Sequence, residues 1–229
     1  MKKNLLLLHG ALGSEIQLRP LQQLLSKDFN VHTLNFEGHG GRNSAHEFDM
    51  ERFADNIVKK LHELKISQTH IFGYSMGGYV ALILAKKCPE LVNMIVTLGT
   101  KFNWSLESAQ QEVKMLNPAK IEEKVPAFAK RLYELHQPND WKILMHKTAA
   151  MMLALADGKK LTDQDLLEIQ HTVLIGIGAL DTMVTVAESE NAATQLPNGM
   201  LKILEGVQHP IEKVHMNVLA TVIRDFLIS

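Results

Sequence analysis

Six short apolar runs recur along this chain, each separated from the next by a longer stretch of different periodicity. The runs are "NLLLLHG" (4–10), "VHTLNF" (31–36), "THIFGYS" (69–75), "NMIVTLGT" (93–100), "TVLIGIGAL" (172–180) and "GMLKILEG" (199–206). Each has the length of a strand, and most are apolar almost throughout, as strands must be when both faces of a sheet are covered. Helical periods occupy 17–26, 50–64, 76–88, 187–195 and 211–227; in 50–64, Phe53, Ile57, Leu61 and Leu64 recur at spacings of three and four while Glu51, Asp55, Lys59 and Lys60 fall elsewhere. The alternation predicts an α/β fold, a mostly parallel six-stranded sheet flanked by helices.

The rhythm breaks once, between Thr100 and His171, where helical patterns replace strands: "ESAQQEVKML", "VPAFAKRLYELH" with Pro126 in its first turn, and "DWKILMHKTAAMMLALADG" ending at Gly158. A structureless loop of about 70 residues has no place in a compact domain. The division expected is therefore a core of 1–100 and 171–229 with a helical cap, 101–170, inserted in it. At 229 residues the chain suits one such domain.

Composition narrows the partners. With 24 basic and 25 acidic side chains the net charge is -1, and no basic excess points to nucleic acid or an anionic membrane. The opening "MKKNLLLLHG" imitates a secretory signal, but its apolar run stops at His9-Gly10, shorter than the roughly 7–15 residues a signal core needs. It is expected to be a buried strand. No run of about 18 apolar residues calls for a membrane span. Cys88 is the only cysteine, which excludes an intramolecular disulfide and fits a cytoplasmic protein.

The chemistry begins at "GYSMGG", where Gly73, Ser75 and Gly77 form G-x-S-x-G between a strand and a helix. Such a turn lifts the serine hydroxyl out of the sheet and aims backbone N–H groups at it from a helix N-terminus. A serine needs a general base, and the base an orienting carboxylate. His209 follows "LKILEGVQ" and Asp181 follows "VLIGIGAL", so all three residues stand at carboxyl ends of predicted parallel strands, the edge that lines the ligand crevice of open α/β sheets. An oxyanion also needs two N–H donors. Ala11, in "HGALGS" after the first strand, and Met76, directly after the serine, are placed to supply them from the backbone.

The motifs "HGALGS", "FEGHGGR", "GYSMGG", "GALDTMV" and "GVQHPIE" occur in an order that resembles the α/β-hydrolase superfamily over nearly the whole chain. The resemblance implies a fold starting at the family's third strand, a cap at 101–171, and a serine hydrolase in which Ser75 is the nucleophile, His209 the base and Asp181 the acid. The activity implied first is a carboxylesterase acting on a small-molecule acyl substrate, with no cofactor. Two alternatives stay open: a C–C bond hydrolase or lyase of the menaquinone-pathway type, and a ligand-responsive signalling protein. The lyases commonly carry an arginine directly after the elbow, where this chain has Tyr79; that favours neutral or apolar substrates. Epoxide hydrolases and haloalkane dehalogenases carry an aspartate where this chain has Ser75.

Other residues receive plainer readings. His9 is expected to anchor the oxyanion loop through hydrogen bonds. His39, His46, His136, His146 and His215 show no compact ligand spacing, so no metal is expected. Tyr79, Phe102, Trp104 and Met183 are candidate substrate contacts. Met145, Met151 and Met152, with Leu153 and Leu155, are expected to be mostly cap core, and Glu212 to begin the last helix, where its charge suits the N-terminus.

Overall fold

The computed structural model describes residues 2–228. Its centre is a six-stranded sheet built from β1 (Asn4–Leu8), β2 (Asn30–Thr33), β3 (Thr69–Tyr74), β4 (Val92–Leu98), β5 (Thr172–Gly178) and β6 (Gly199–Leu204). The spatial order is β2-β1-β3-β4-β5-β6 and every pairing is parallel. The run of four leucines in β1 has a direct cause. Leu5 and Leu7 point into one core, with Leu21 of α1 (Arg19–Leu25) and Ile223 of α10 (Met216–Ile228). Leu6 and Leu8 point into the other, with Phe53 of α2 (Met50–Glu63) and Leu82 of α3 (Met76–Lys87). Successive strand residues face opposite sides, so a strand clothed on both must be apolar at every position.

Between β4 and β5 the chain is helical, as expected: α4 (Leu106–Met115), α5 (Pro118–Lys124), α6 (Pro126–His136), α7 (Trp141–Ala154) and α8 (Asp163–Glu168). Ile121, Ala129, Leu132, Trp141 and Met145 form a small core within this segment. α9 (Val186–Gln195) then returns the chain to β6. Among the described residues no helix is long and apolar enough to cross a membrane.

Two expectations are corrected. The last helix begins at Met216, not at 211; Ile211–Lys213 is a separate short 3-10 turn after Pro210. Glu212 therefore caps no long helix. Its carboxylate instead accepts from Gln17 Nε2 and pairs with Arg131 of α6, tying α6 to the short 3-10 turn Glu15–Leu18.

The strand order reverses direction between β1 and β3. Loops leaving the carboxyl ends of two such strands diverge to opposite faces and leave a crevice between them. The segments there are "HGALGS" after β1 and Ser75 after β3.

Candidate active site

Ser75 joins β3 to α3 with φ 50° and ψ −116°. A non-glycine residue held there is strained by about 1–3 kcal/mol and persists only where its neighbours enforce it. Here they do. Ser75 N–H donates to the Leu98 carbonyl at 2.8 Å, and the Ser75 carbonyl accepts from Gly78 N–H and from Thr100 Oγ1, both at 3.0 Å. The flanking glycines answer to close backbone approach. A Cβ on Gly73 would lie 2.4 Å from Gly78, and one on Gly77 would lie 2.6 Å from the Leu8 carbonyl oxygen.

The loop after β1 is also tightly held. Gly13 N–H closes a turn onto the Gly10 carbonyl at 3.1 Å, and Leu12 takes a left-handed φ of 57°. Ala11 and Met76 line the same small cavity as Ser75. Among the described residues neither of their amides has an acceptor within the chain, so both N–H groups stand ready for an external oxygen.

His9 anchors this loop in the way its position implied. Phe36 N–H donates to its Nε2 at 3.2 Å, so Nε2 is the acceptor nitrogen and Nδ1–H donates to the Gly10 carbonyl at 2.8 Å. Such a ring is neutral. Complete burial pushes its pKa from 6.5 down to about 4. His39, packed beside it with ring centroids 5.1 Å apart, is held well below its usual value by burial and then by the neighbouring His9.

Sequence reasoning treated His136 only as an unlikely metal ligand. The buried ring reaches down from the end of α6: Gly40 N–H donates to Nδ1 and Nε2–H donates to the Leu12 carbonyl, each at 3.0 Å. It thus clasps the strained residue of the loop. Replacing His136 with Leu would leave the half-buried Gly40 N–H and Leu12 carbonyl without their protein partner, at about 0.5–1.5 kcal/mol each. Urea unfolding is expected to show a loss of about 1–3 kcal/mol.

The buried histidines also set a pH dependence. Unfolded, they take up protons near pH 6.5; folded, His9 does so only near about 4. Between these values the unfolded chain binds more protons, so stability is full above about pH 6.5 and is lost as the pH falls toward about 4. For His9 alone the difference is about 3 kcal/mol. Urea midpoints at pH 7 and pH 5 should show the drop, and His39→Phe should lessen it.

His209 and Asp181 face each other across the loops after β6 and β5. His209 Nδ1 lies 2.7 Å from Asp181 Oδ2, with side chains 9% and 2% exposed. Burial would raise the Asp181 pKa, but the His209 hydrogen bond and the amides of Val184 and Met183 on Oδ1, at 2.9 and 2.8 Å, outweigh it and hold the carboxyl below its usual value. A carboxylate only accepts, so neutral His209 must carry its proton on Nδ1. Its Nε2 lone pair is then free to take a proton. The His209 backbone is held by Tyr74, whose hydroxyl donates to the His209 carbonyl at 3.0 Å.

The cavity holding Ser75 and His209 measures about 40 Å³, room for a few water molecules. Met50, Met151 and Met152 stand in its wall, and flexible thioethers move at little cost. Met151 keeps the core role expected of most methionines here while also facing the cavity, Met152 packs against that same core, and Met145 belongs to the smaller one.

Of the four candidate substrate contacts, Trp104, Met183 and Tyr79 line the cavity; Phe102 lies behind Tyr79, ring centroids 6.2 Å apart, outside the lining. The Tyr79 hydroxyl accepts from Leu161 N–H at 2.6 Å, which fixes the ring against the cavity. Lys101 and Glu112 also line the cavity and were not singled out from the sequence. Lys101 could have been, since it follows the β4 carboxyl end in "LGTKFN". Glu112, within "ESAQQEVKML", carries no signal that separates it from a solvated surface charge.

Comparison with known proteins agrees with this architecture. The family described as alpha/beta hydrolase fold is matched over residues 3–139, and the chain belongs to it. Among curated relatives, the pimeloyl-[acyl-carrier protein] methyl ester esterase of Neisseria meningitidis is 24% identical, with 98% of this chain and 93% of that protein covered. Among solved structures, 2-hydroxy-6-oxo-6-phenylhexa-2,4-dienoate hydrolase from a Rhodococcus species superposes with a TM-score of 0.83 at 17% identity, covering 100% of this chain and 91% of that one. A thermophilic esterase from Thermogutta terrifontis gives a TM-score of 0.79 at 18% identity, covering 99% and 90%. At these identities the solved structures establish the shared fold.

Proposed function

We propose that the protein is a serine carboxylesterase acting on small to medium acyl esters in the cytoplasm, with Ser75, His209 and Asp181 as its triad. The observation that carries this reading is the convergence of a strained serine, a histidine fixed through Nδ1 by a carboxylate, and two unpaired amides on one cavity. Ser75 Oγ attacks the ester carbonyl while His209 Nε2 takes its proton. Asp181 stabilises the imidazolium, and the Ala11 and Met76 amides hold the tetrahedral oxyanion. The imidazolium then protonates the departing alcohol. Water deprotonated by His209 attacks the acyl-enzyme, and the acid leaves as Ser75 recovers its proton.

In this reading 101–170 is the cap and 1–100 with 171–229 the core, since the cavity takes Trp104, Glu112, Met151 and Met152 from the former and its reactive groups from the latter. Soluble esterase action in the cytoplasm accords with the single free Cys88. A fluorophosphonate probe is expected to label the protein at Ser75, located by peptide mass mapping. Equal labelling of Ser75→Ala would refute the assignment.

A further inference from the structure

Lys101 and Glu112 bring opposite charges into a cavity otherwise walled by methionine and aromatic side chains. Their ion pair measures 3.3 Å between Nζ and Oε1, with the side chains only 15% and 14% exposed. Lys101 Nζ also donates to the Met183 carbonyl at 3.1 Å and stands 5.9 Å from the centre of the Trp104 ring. An ammonium has three N–H donors; the Met183 carbonyl takes one and Glu112 stands at ion-pair distance, so at least one donor is spare. Among the described residues nothing donates to the other Glu112 oxygen. One donor and one acceptor, both charged, are thus left for a ligand within a cavity that also holds Ser75.

A pair withdrawn this far from water adds little stability compared with apolar residues, yet breaking it leaves a costly unpaired charge. That asymmetry acts on ligands. A carboxylate on the substrate would draw Lys101 away and strand Glu112; an ammonium would strand Lys101; a methyl end would cover both charges and bond to neither. A group that accepts from Lys101 and simultaneously donates to Glu112 leaves the pair intact and satisfies both. Primary carboxamides and hydroxyls do this.

We propose that the Lys101–Glu112 pair is a selectivity subsite and that it selects uncharged esters bearing a carboxamide or hydroxyl group. The proposal rests on the esterase reading for its reaction, but the subsite can be tested without turnover. Non-hydrolysable methyl ketones with two to six carbons between the carbonyl and a carboxamide, methyl, carboxylate or ammonium end would be titrated into Ser75→Ala. The readout is tryptophan fluorescence, since Trp104 lines the cavity. At the best length the carboxamide ketone is expected to bind about tenfold or more tighter than the others, the scale of one hydrogen bond to a charged group. Adding Glu112→Gln, which leaves Lys101 an unopposed cation, should reverse the order of carboxamide and carboxylate. Adding Lys101→Met should favour the ammonium.

Tightest binding of the methyl or carboxylate ketone to the Ser75→Ala protein would overturn the subsite, as would an order that neither added substitution changes. The matching methyl esters, offered to the wild type, keep the two readings apart. Carboxamide selectivity in binding with no ester hydrolysed supports the subsite and refutes the esterase. Brisk hydrolysis indifferent to the chain end refutes the subsite alone.

Discussion

Replacing Ser75 with alanine is expected to lower kcat for ester hydrolysis by about 10⁵–10⁶-fold while leaving ligand binding nearly unchanged. The size of the effect follows from the way the parts depend on one another. Without Oγ there is no acyl-enzyme, and a histidine poised to take a serine proton has no proton to take. On the proposed mechanism only the Ala11 and Met76 amides and the shape of the cavity then continue to assist attack by water. Alanine should also relieve nothing in the backbone, because the left-handed φ of 50° at this position is imposed by the bonds of Leu98, Gly78 and Thr100 to the main chain. Steady-state rates on short acyl esters, with thermal unfolding to show intact folding, measure it. A residual rate within about tenfold of wild type would remove Ser75 from the mechanism.

The second large effect is expected from Asp181→Asn, a drop of about 10⁴-fold in kcat, the scale of holding the histidine of a Ser-His-Asp triad in the wrong tautomer. Geometry gives the reason. The oxygen now bonded to the Met183 and Val184 amides can remain an oxygen, but the atom facing His209 Nδ1 then becomes an NH₂ donor. The imidazole must turn its own Nδ1 into an acceptor and place its proton on Nε2. Nε2 then points a proton, not a lone pair, toward the nucleophile. Loss of charge also removes the group that stabilises the imidazolium. Fluorophosphonate labelling should slow with kcat, since the probe needs the same activated serine. Labelling at the wild-type rate would show that Asp181 plays no part in activation.

Much of this architecture is legible in the sequence, and the physical reason differs from part to part. β1, β3, β4 and β5 are apolar because both their faces are covered, so their strands appear in the text of the chain. The edge strand β2 is less clear: the run read as 31–36 pairs only over Asn30–Thr33, since it has one neighbour and leaves the sheet where β1 ends. The last helix reads as starting at 211 because Ile211 and Val214 stand at a helical spacing and are both buried, while the chain between them forms a separate 3-10 turn after Pro210. The serine, histidine and aspartate are legible because each sits at a strand end, and strand ends can be counted from sequence.

The cavity wall is a different matter. Glu112 and Met151 reach it from α4 and α7, and which face of an inserted helix looks inward depends on how helices pack on one another, which no local pattern encodes. His136 shows the same limit in another form: its role exists only because α6 passes over Leu12 and Gly40, which lie 124 and 96 residues away.

That contact bears on how such a chain can be redesigned. Inserted helical segments invite transplantation between relatives to exchange one substrate preference for another. Here the segment carries part of the scaffold with it. A graft that lacks a histidine at the end of α6 would arrive without the clasp on Leu12, leaving the amide next to it to wander. The chimaera would then be inactive for reasons unconnected with the substrate it was built to accept. Carrying His136 across, with Arg131 to meet Glu212, is the least that a working exchange requires.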